Sequence, residues 1–180
     1  MIDESVEVVE HDPRWQSWYA LDAHELREEL GERIHDLQHF GSTSVPGLPA
    51  KPIIDILVAP VSWPLAADDL ASFEKLGFES LGEAGVPERI YLRRRAEHAT
   101  NLAVVQESGP LWHDNILLRD YLLSHPDHAR AYGDLKRAVW NQGARTLLDY
   151  SRAKHDFVDD LLARARLWRS SEPASRVSLP

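Results

Sequence analysis

The chain contains no cysteine. Disulfides, thiol catalysis and thiolate metal sites are therefore excluded. Basic residues are in short supply: 20 Lys and Arg stand against 29 Asp and Glu, for a net charge of −9. Sequence-independent binding to a nucleic-acid backbone needs clustered Lys and Arg, so no nucleic-acid partner is expected. A local basic pocket for one phosphorylated small molecule is compatible with this balance. Apolar runs are short, and none approaches the ~18 residues of a membrane span. No membrane partner is expected. The opening MIDESVEVVEHDP is acidic and lacks the apolar stretch of a secretory signal, which makes the cytoplasm the expected location. No dinucleotide-binding glycine fingerprint or serine-hydrolase elbow is present, nor any internal repeat. Nothing in the pattern sets the number of subunits.

What is present is a chain of 180 residues, 43% hydrophobic, enough for one domain with a real core. The alternating valines of 5–10 predict a short strand. Asp12-Pro13 reads as a helix start, followed by Trp15, Trp18, Tyr19, Leu26 and Leu30 at helical spacing, with Gly31 as the stop. Strands are expected over 34–40, 53–59, 78–81, 89–93 and 101–106, with a helix over 65–76. After Pro110 the pattern becomes helical: 111–123, 126–141, and one longer helix over 147–168. The expected architecture is α/β of the α+β kind, a mixed sheet with flanking helices and a C-terminal helical segment. The expected single domain covers 1–168, sheet-rich over 1–108 and helical over 109–168, with 169–180 as a flexible tail.

The most informative stretch is HFGSTSVPGLPAKPIIDILV, residues 39–58. A small-residue turn, Gly41-Ser42, precedes a nearly continuous apolar strand interrupted by one acid, Asp55, 13 residues after Ser42. Glycine lets a backbone approach phosphate oxygens closely, and the turn's amides and hydroxyl can face them. A carboxylate on the neighbouring strand can hold the divalent cation that neutralises those oxygens. A lone acid in such a strand must be exposed at a cleft or paired.

The fuller string GSTSVPGLPAKPIIDILV, with LLRDYLLSHPDHARAYGDLK (117–136) and YSRAKHDFV (150–158), resembles the GrpB family, a branch of the nucleotidyltransferase superfamily, over roughly residues 5–165. The resemblance implies a nucleotidyltransferase-like fold that binds a nucleotide or phosphorylated small molecule, with nucleotidyl transfer aided by Mg²⁺ as the fuller activity. It also implies an alternative: a catalytically silent ligand-binding or accessory module, as in the related domain fused to dephospho-CoA kinase. Gly41, Ser42 and Asp55 become the catalytic candidates, Asp55 the metal ligand, and Thr43, Ser44, Lys51, Arg119, Asp120, Lys136 and Lys154 the substrate-binding candidates. Two departures bear on catalysis. The superfamily strand usually carries two acids one residue apart, and here the partner position is Leu57. A later strand normally supplies a third carboxylate, and the matching stretch offers Asn101 and Ala103.

The remaining candidates each carry two readings. Lys51 either meets a phosphate or is a solvated loop lysine. Arg119 and Asp120 either offer a guanidinium to an anion or form an ion pair that anchors their helix. Arg93-Arg94-Arg95 either grips polyphosphate or is a charged hairpin. His39 either points into the cleft or is a core-edge histidine. The groups around His113 and around His125 and His128 lack the helical spacing of a zinc site.

Overall fold

The computed structural model describes residues 3–171. Five strands form one mixed sheet: β1 (Ile34–Phe40), β2 (Ile53–Pro60), β3 (Glu79–Ser80), β4 (Arg89–Arg95) and β5 (Ala99–Val105). Their order is β1-β2-β5-β4-β3, and only the central β2–β5 pair is parallel. Six helices flank the sheet: α1 (Arg14–Leu30), α2 (Ala67–Lys75), α3 (Pro110–Ser124), α4 (Pro126–Asn141), α5 (Leu147–Ala153) and α6 (His155–Ser171). This is the α+β class expected from the sequence. Among the described residues no helix is long and apolar enough to cross a membrane.

The two faces of the sheet follow from strand alternation. Leu37, Ile54, Ile56, Val58, Leu92, Leu102 and Val104 point to one side and pack with Trp15, Leu26 and Leu30 of α1 and Phe73 of α2. The opposite parity carries Phe40, Asp55, Leu57, Ala59, Asn101, Ala103 and Val105 toward the C-terminal helices. Over most of this second face α3 lies flush: Leu57, Ala59, Ala103 and Val105 pack on Trp112, with Phe40, Leu111 and Ile116 at the margin. The helices then build their own core from Leu122, Tyr121, Tyr132, Leu161 and Ala165. The cover stops short of Asp55, which leaves an opening between sheet and helices.

Three sequence expectations need correction. Residues 5–10 form no strand of the sheet; the segment makes only single bridges, Ser5 with Thr146 and Val9 with Ala50. The helix expected over 147–168 is two, α5 and α6, interrupted at Lys154. Arg169, Ser170 and Ser171, expected in a tail, are the last turn of α6; residues 172–180 of that tail lie outside the described residues.

Leu57 is fully buried beneath α3. Leu57→Asp, which restores the two-acid pattern, therefore places an unpaired carboxylate in an apolar layer and is expected to cost about 3 kcal/mol or more. Urea denaturation reads this as a lower midpoint; an unchanged midpoint would mean that α3 does not cover this position.

Candidate functional site

β1 gives way to Gly41, whose φ of +71° only glycine adopts without strain. A Cβ there would sit 3.0 Å from Asp55 Oδ2. The bend and the acid thus meet directly, as Phe40 and Asp55 are paired across β1 and β2. A single 3-10 turn, Ser42–Ser44, follows. Ser44 Oγ donates to Gly41 O at 2.6 Å and closes that turn. Thr43 is buried, its Oγ1 3.0 Å from His39 Nε2.

The opening is a cavity of about 320 Å³ whose walls include Gly41, Ser42, Lys51, Asp55, Asn115, Tyr132, Tyr150, Lys154 and His155. Thr43 also lines it, whereas Ser44 does not. Asp55 stays partly exposed. Its Oδ1 accepts a hydrogen bond from Asn101 Nδ2 at 2.8 Å, and Asn101 Oδ1 accepts in turn from Arg95 Nη2 at 3.0 Å. Asn101 is the register partner of Asp55 on β5. Arg95 is held from behind by Glu4, at 2.5 Å and 3.1 Å. The carboxylate is thus backed by an amide and then by a guanidinium.

Amines surround this acid. Lys51 and Lys154 line the cavity, with Lys154 Nζ 4.9 Å from the centre of the Tyr150 ring. Burial pushes the Lys51 ammonium below the ordinary lysine range; the nearby Asp55 charge opposes that, and Lys154 adds to it. Lys136 stands directly behind the wall. It is fully buried, donates to Ser42 Oγ at 2.9 Å, and lies 4.3 Å from the centre of the Tyr132 ring. Burial, reinforced by Lys154 and Arg137, drives its pKa well down. Lys51 and Lys154 beside one carboxylate, with the buried Lys136 amine behind them, make this a lysine-rich spot in an acidic chain. The donor set does not assemble a two-metal clamp: Leu57 is sealed away, Asn101 is a neutral amide, and among the described residues no group of three His, Asp or Glu could hold a metal ion.

Several candidates lie elsewhere. Arg119 Nε donates to Asp120 Oδ1 at 2.8 Å, and its Nη1 donates to Gln38 Oε1 and His39 O. The pair ties α3 to β1, which is the anchoring reading. Arg119 borders only a small adjoining cavity of about 50 Å³, and Asp120 lines neither. His39 has the parity of the α1 face and stacks on Tyr19, with ring centres 4.7 Å apart. The arginine run is consumed by ion pairs: Arg93 with Glu79 and Glu4, Arg94 with Asp22 and Glu25, Arg95 with Glu4. Sequence reasoning gave no cavity role to Tyr132, Tyr150, Asn115, Ser151 or His155. The signal was within the motifs themselves, where each tyrosine stands four residues before a lysine, one helical turn.

Two outcomes test this geometry. Gly41→Ala is expected to destabilise by about 1–3 kcal/mol through backbone strain and crowding of Asp55; equal urea midpoints would show that the bend relaxes freely. His39, pushed down to about 4 chiefly by burial, stays neutral in the fold while the unfolded imidazole protonates near 6.5. Its contribution is present above pH 6.5 and fades as pH falls toward 4, by up to about 3 kcal/mol. Stability curves of wild type and His39→Gln over pH 4–7.5 should converge on acidification; parallel curves would contradict the assignment.

Comparison with known proteins extends the picture. The family described as GrpB protein matches residues 5–164. A UPF0157 protein of Pseudomonas aeruginosa is 33% identical over 171 residues, spanning 91% of this chain and 69% of its own. Glutamate-rich protein GrpB of Alkalihalophilus pseudofirmus is 32% identical, over 86% of this chain and 92% of its own. A dephospho-CoA kinase of Mycolicibacterium paratuberculosis is 26% identical, the match spanning 47% of its length. The crystal structure of conserved protein GrpB from Enterococcus faecalis superposes with a TM-score of 0.80 at 31% identity, covering 90% of this chain and 99% of that one. With its motifs, its fold and a match across nearly all of its described length, the chain belongs to the GrpB family.

Proposed function

We propose that this protein binds a nucleotide or phosphorylated small molecule in the cleft between β2 and the C-terminal helices, and that it does so in the cytoplasm. The observation that carries the reading is the convergence of the Gly41-Ser42 bend, Asp55, Lys51 and Lys154 on one cavity of about 320 Å³. That volume lies at the lower end of small-molecule sites. Ammonium groups act on phosphate as point charges, and here they are concentrated by walls of low dielectric in a chain whose net charge is −9. The largely buried Tyr132 and Tyr150 form part of the cavity wall.

Nucleotidyl transfer with Mg²⁺ is the larger activity the family likeness implies. In-line displacement at phosphorus rests on paired cations that hold both the entering and the leaving oxygens. One partly exposed acid whose Oδ1 is already bonded to Asn101 is a weak basis for that clamp. The burial of Leu57 is compatible with a second reading, a binding or accessory module. The dephospho-CoA kinase that contains a similar segment is compatible with such a role.

The test is a thermal-shift panel of the four ribonucleoside triphosphates and common phosphorylated metabolites. At least one is expected to raise Tm by several degrees at about 100 times its Kd, and Lys154→Ala should reduce that rise. A flat response across the panel would overturn the reading.

A further inference from the structure

The cleft raises an electrostatic question that its family likeness leaves open: what neutralises the ligand's charge. Superfamily logic assigns this to a divalent ion on paired carboxylates. Here the surroundings of Asp55 are already cationic. Asn101 donates an N–H to its Oδ1, the Arg95 guanidinium stands 3.0 Å behind Asn101 Oδ1, and Lys51 is close enough for Asp55 to influence its protonation. A divalent ion arriving at Asp55 would meet repulsion from Lys51, whereas the Arg95 charge is offset by Glu4. It would also find one carboxylate where two are wanted.

A second observation points the same way. Tyr150 is 1% exposed and lines the cavity, yet its hydroxyl has no hydrogen-bond partner among the described residues. A buried hydroxyl without a partner is costly. Tyr132 lines the same cavity. Burial raises the Tyr150 pKa, so the group is a donor at neutral pH. A donor of this kind is complete only when an acceptor arrives. With Lys154 over its ring and Lys51 on the same cavity, the matching acceptor is an anionic oxygen.

We infer that the cleft holds a phosphate group directly, between the Lys51 and Lys154 ammonium groups and the Tyr150 hydroxyl, with no divalent ion between ligand and protein. The ligand class is a small molecule ending in a phosphate or diphosphate. The Lys51 amine, on the same cavity wall as Asp55, stands in for the metal. This inference rests on the binding reading above and specifies its chemistry.

Isothermal calorimetry of the full chain with inorganic pyrophosphate, AMP and ATP, each in EDTA and in Mg²⁺, separates the possibilities. At least one probe should bind in EDTA as tightly as in Mg²⁺, within about twofold. Tyr150→Phe, which keeps the ring, should weaken that binding about five- to tenfold with Tm unchanged or raised, and Lys154→Met should weaken it at least tenfold. Binding that appears in Mg²⁺ and is lost in EDTA would overturn the inference while leaving the binding reading intact. Binding unaltered by Tyr150→Phe would also overturn it. No heat from any probe in either buffer, together with a flat thermal-shift panel, would overturn both.

Discussion

The site depends on one buried contact between the two halves of the molecule. Lys136, on α4, is fully buried and gives a hydrogen bond to Ser42 Oγ on the bend that follows β1. A buried amine is costly to leave unbonded; this one, whose charged form burial disfavours, has a hydroxyl and the face of Tyr132. One helical turn earlier, Gly133 lies so close to the 46–52 loop that an added Cβ would stand 2.9 Å from Pro49 Cδ. Glycine within a helix costs about 1 kcal/mol relative to alanine; here it lets α4 come down onto the loop. Gly133 and Lys136 share a helix face, so the same face sets both the closeness and the direction of approach. The cavity exists because α4 is held there while α3 ends its cover of the sheet short of Asp55.

Charge follows from this arrangement. The chain as a whole is acidic, yet the cleft gathers Lys51, Lys154 and, behind the wall, Lys136 around a single carboxylate. The arginines most visible in the sequence are spent on structure instead. Arg94 compensates Asp22, which is 1% exposed and also takes hydrogen bonds from Thr100 and His98. Arg95 links the N-terminal Glu4 to Asn101 and so to Asp55. The fold thus sets the bend and one acid at the cleft, while position 57 lies in an apolar layer and position 101 is a neutral amide.

Much of this was legible in the residues, and the exceptions have physical causes. Pro126 and Gly143 bracket α4, so local chemistry delimited it. The apolar run of β2 and the spacing from Ser42 to Asp55 were likewise local. The α5–α6 break at Lys154 was not, because neither glycine nor proline marks it and the apolar pattern runs on through it. The partners of the arginine run were out of reach, since Glu4 and Arg95 are 91 residues apart and no periodicity links them. The direction of His39 follows from alternation once β1 is registered against β2, and that register is a tertiary fact. The sealing of Leu57 depends on where α3 lands, which strand periodicity does not encode.

The central claim is that the Gly41-Ser42 bend, Asp55 and the surrounding amines act as one phosphate-binding cleft. A crystal structure of the protein with a non-hydrolysable nucleotide and Mn²⁺, collected with anomalous data, tests it most directly. The account predicts phosphate oxygens within hydrogen-bonding distance of Lys51, Lys154 and Tyr150, and no manganese peak on Asp55. Phosphate density on any other surface of the molecule, or a strong manganese peak bridging Asp55 and the phosphates, would contradict it.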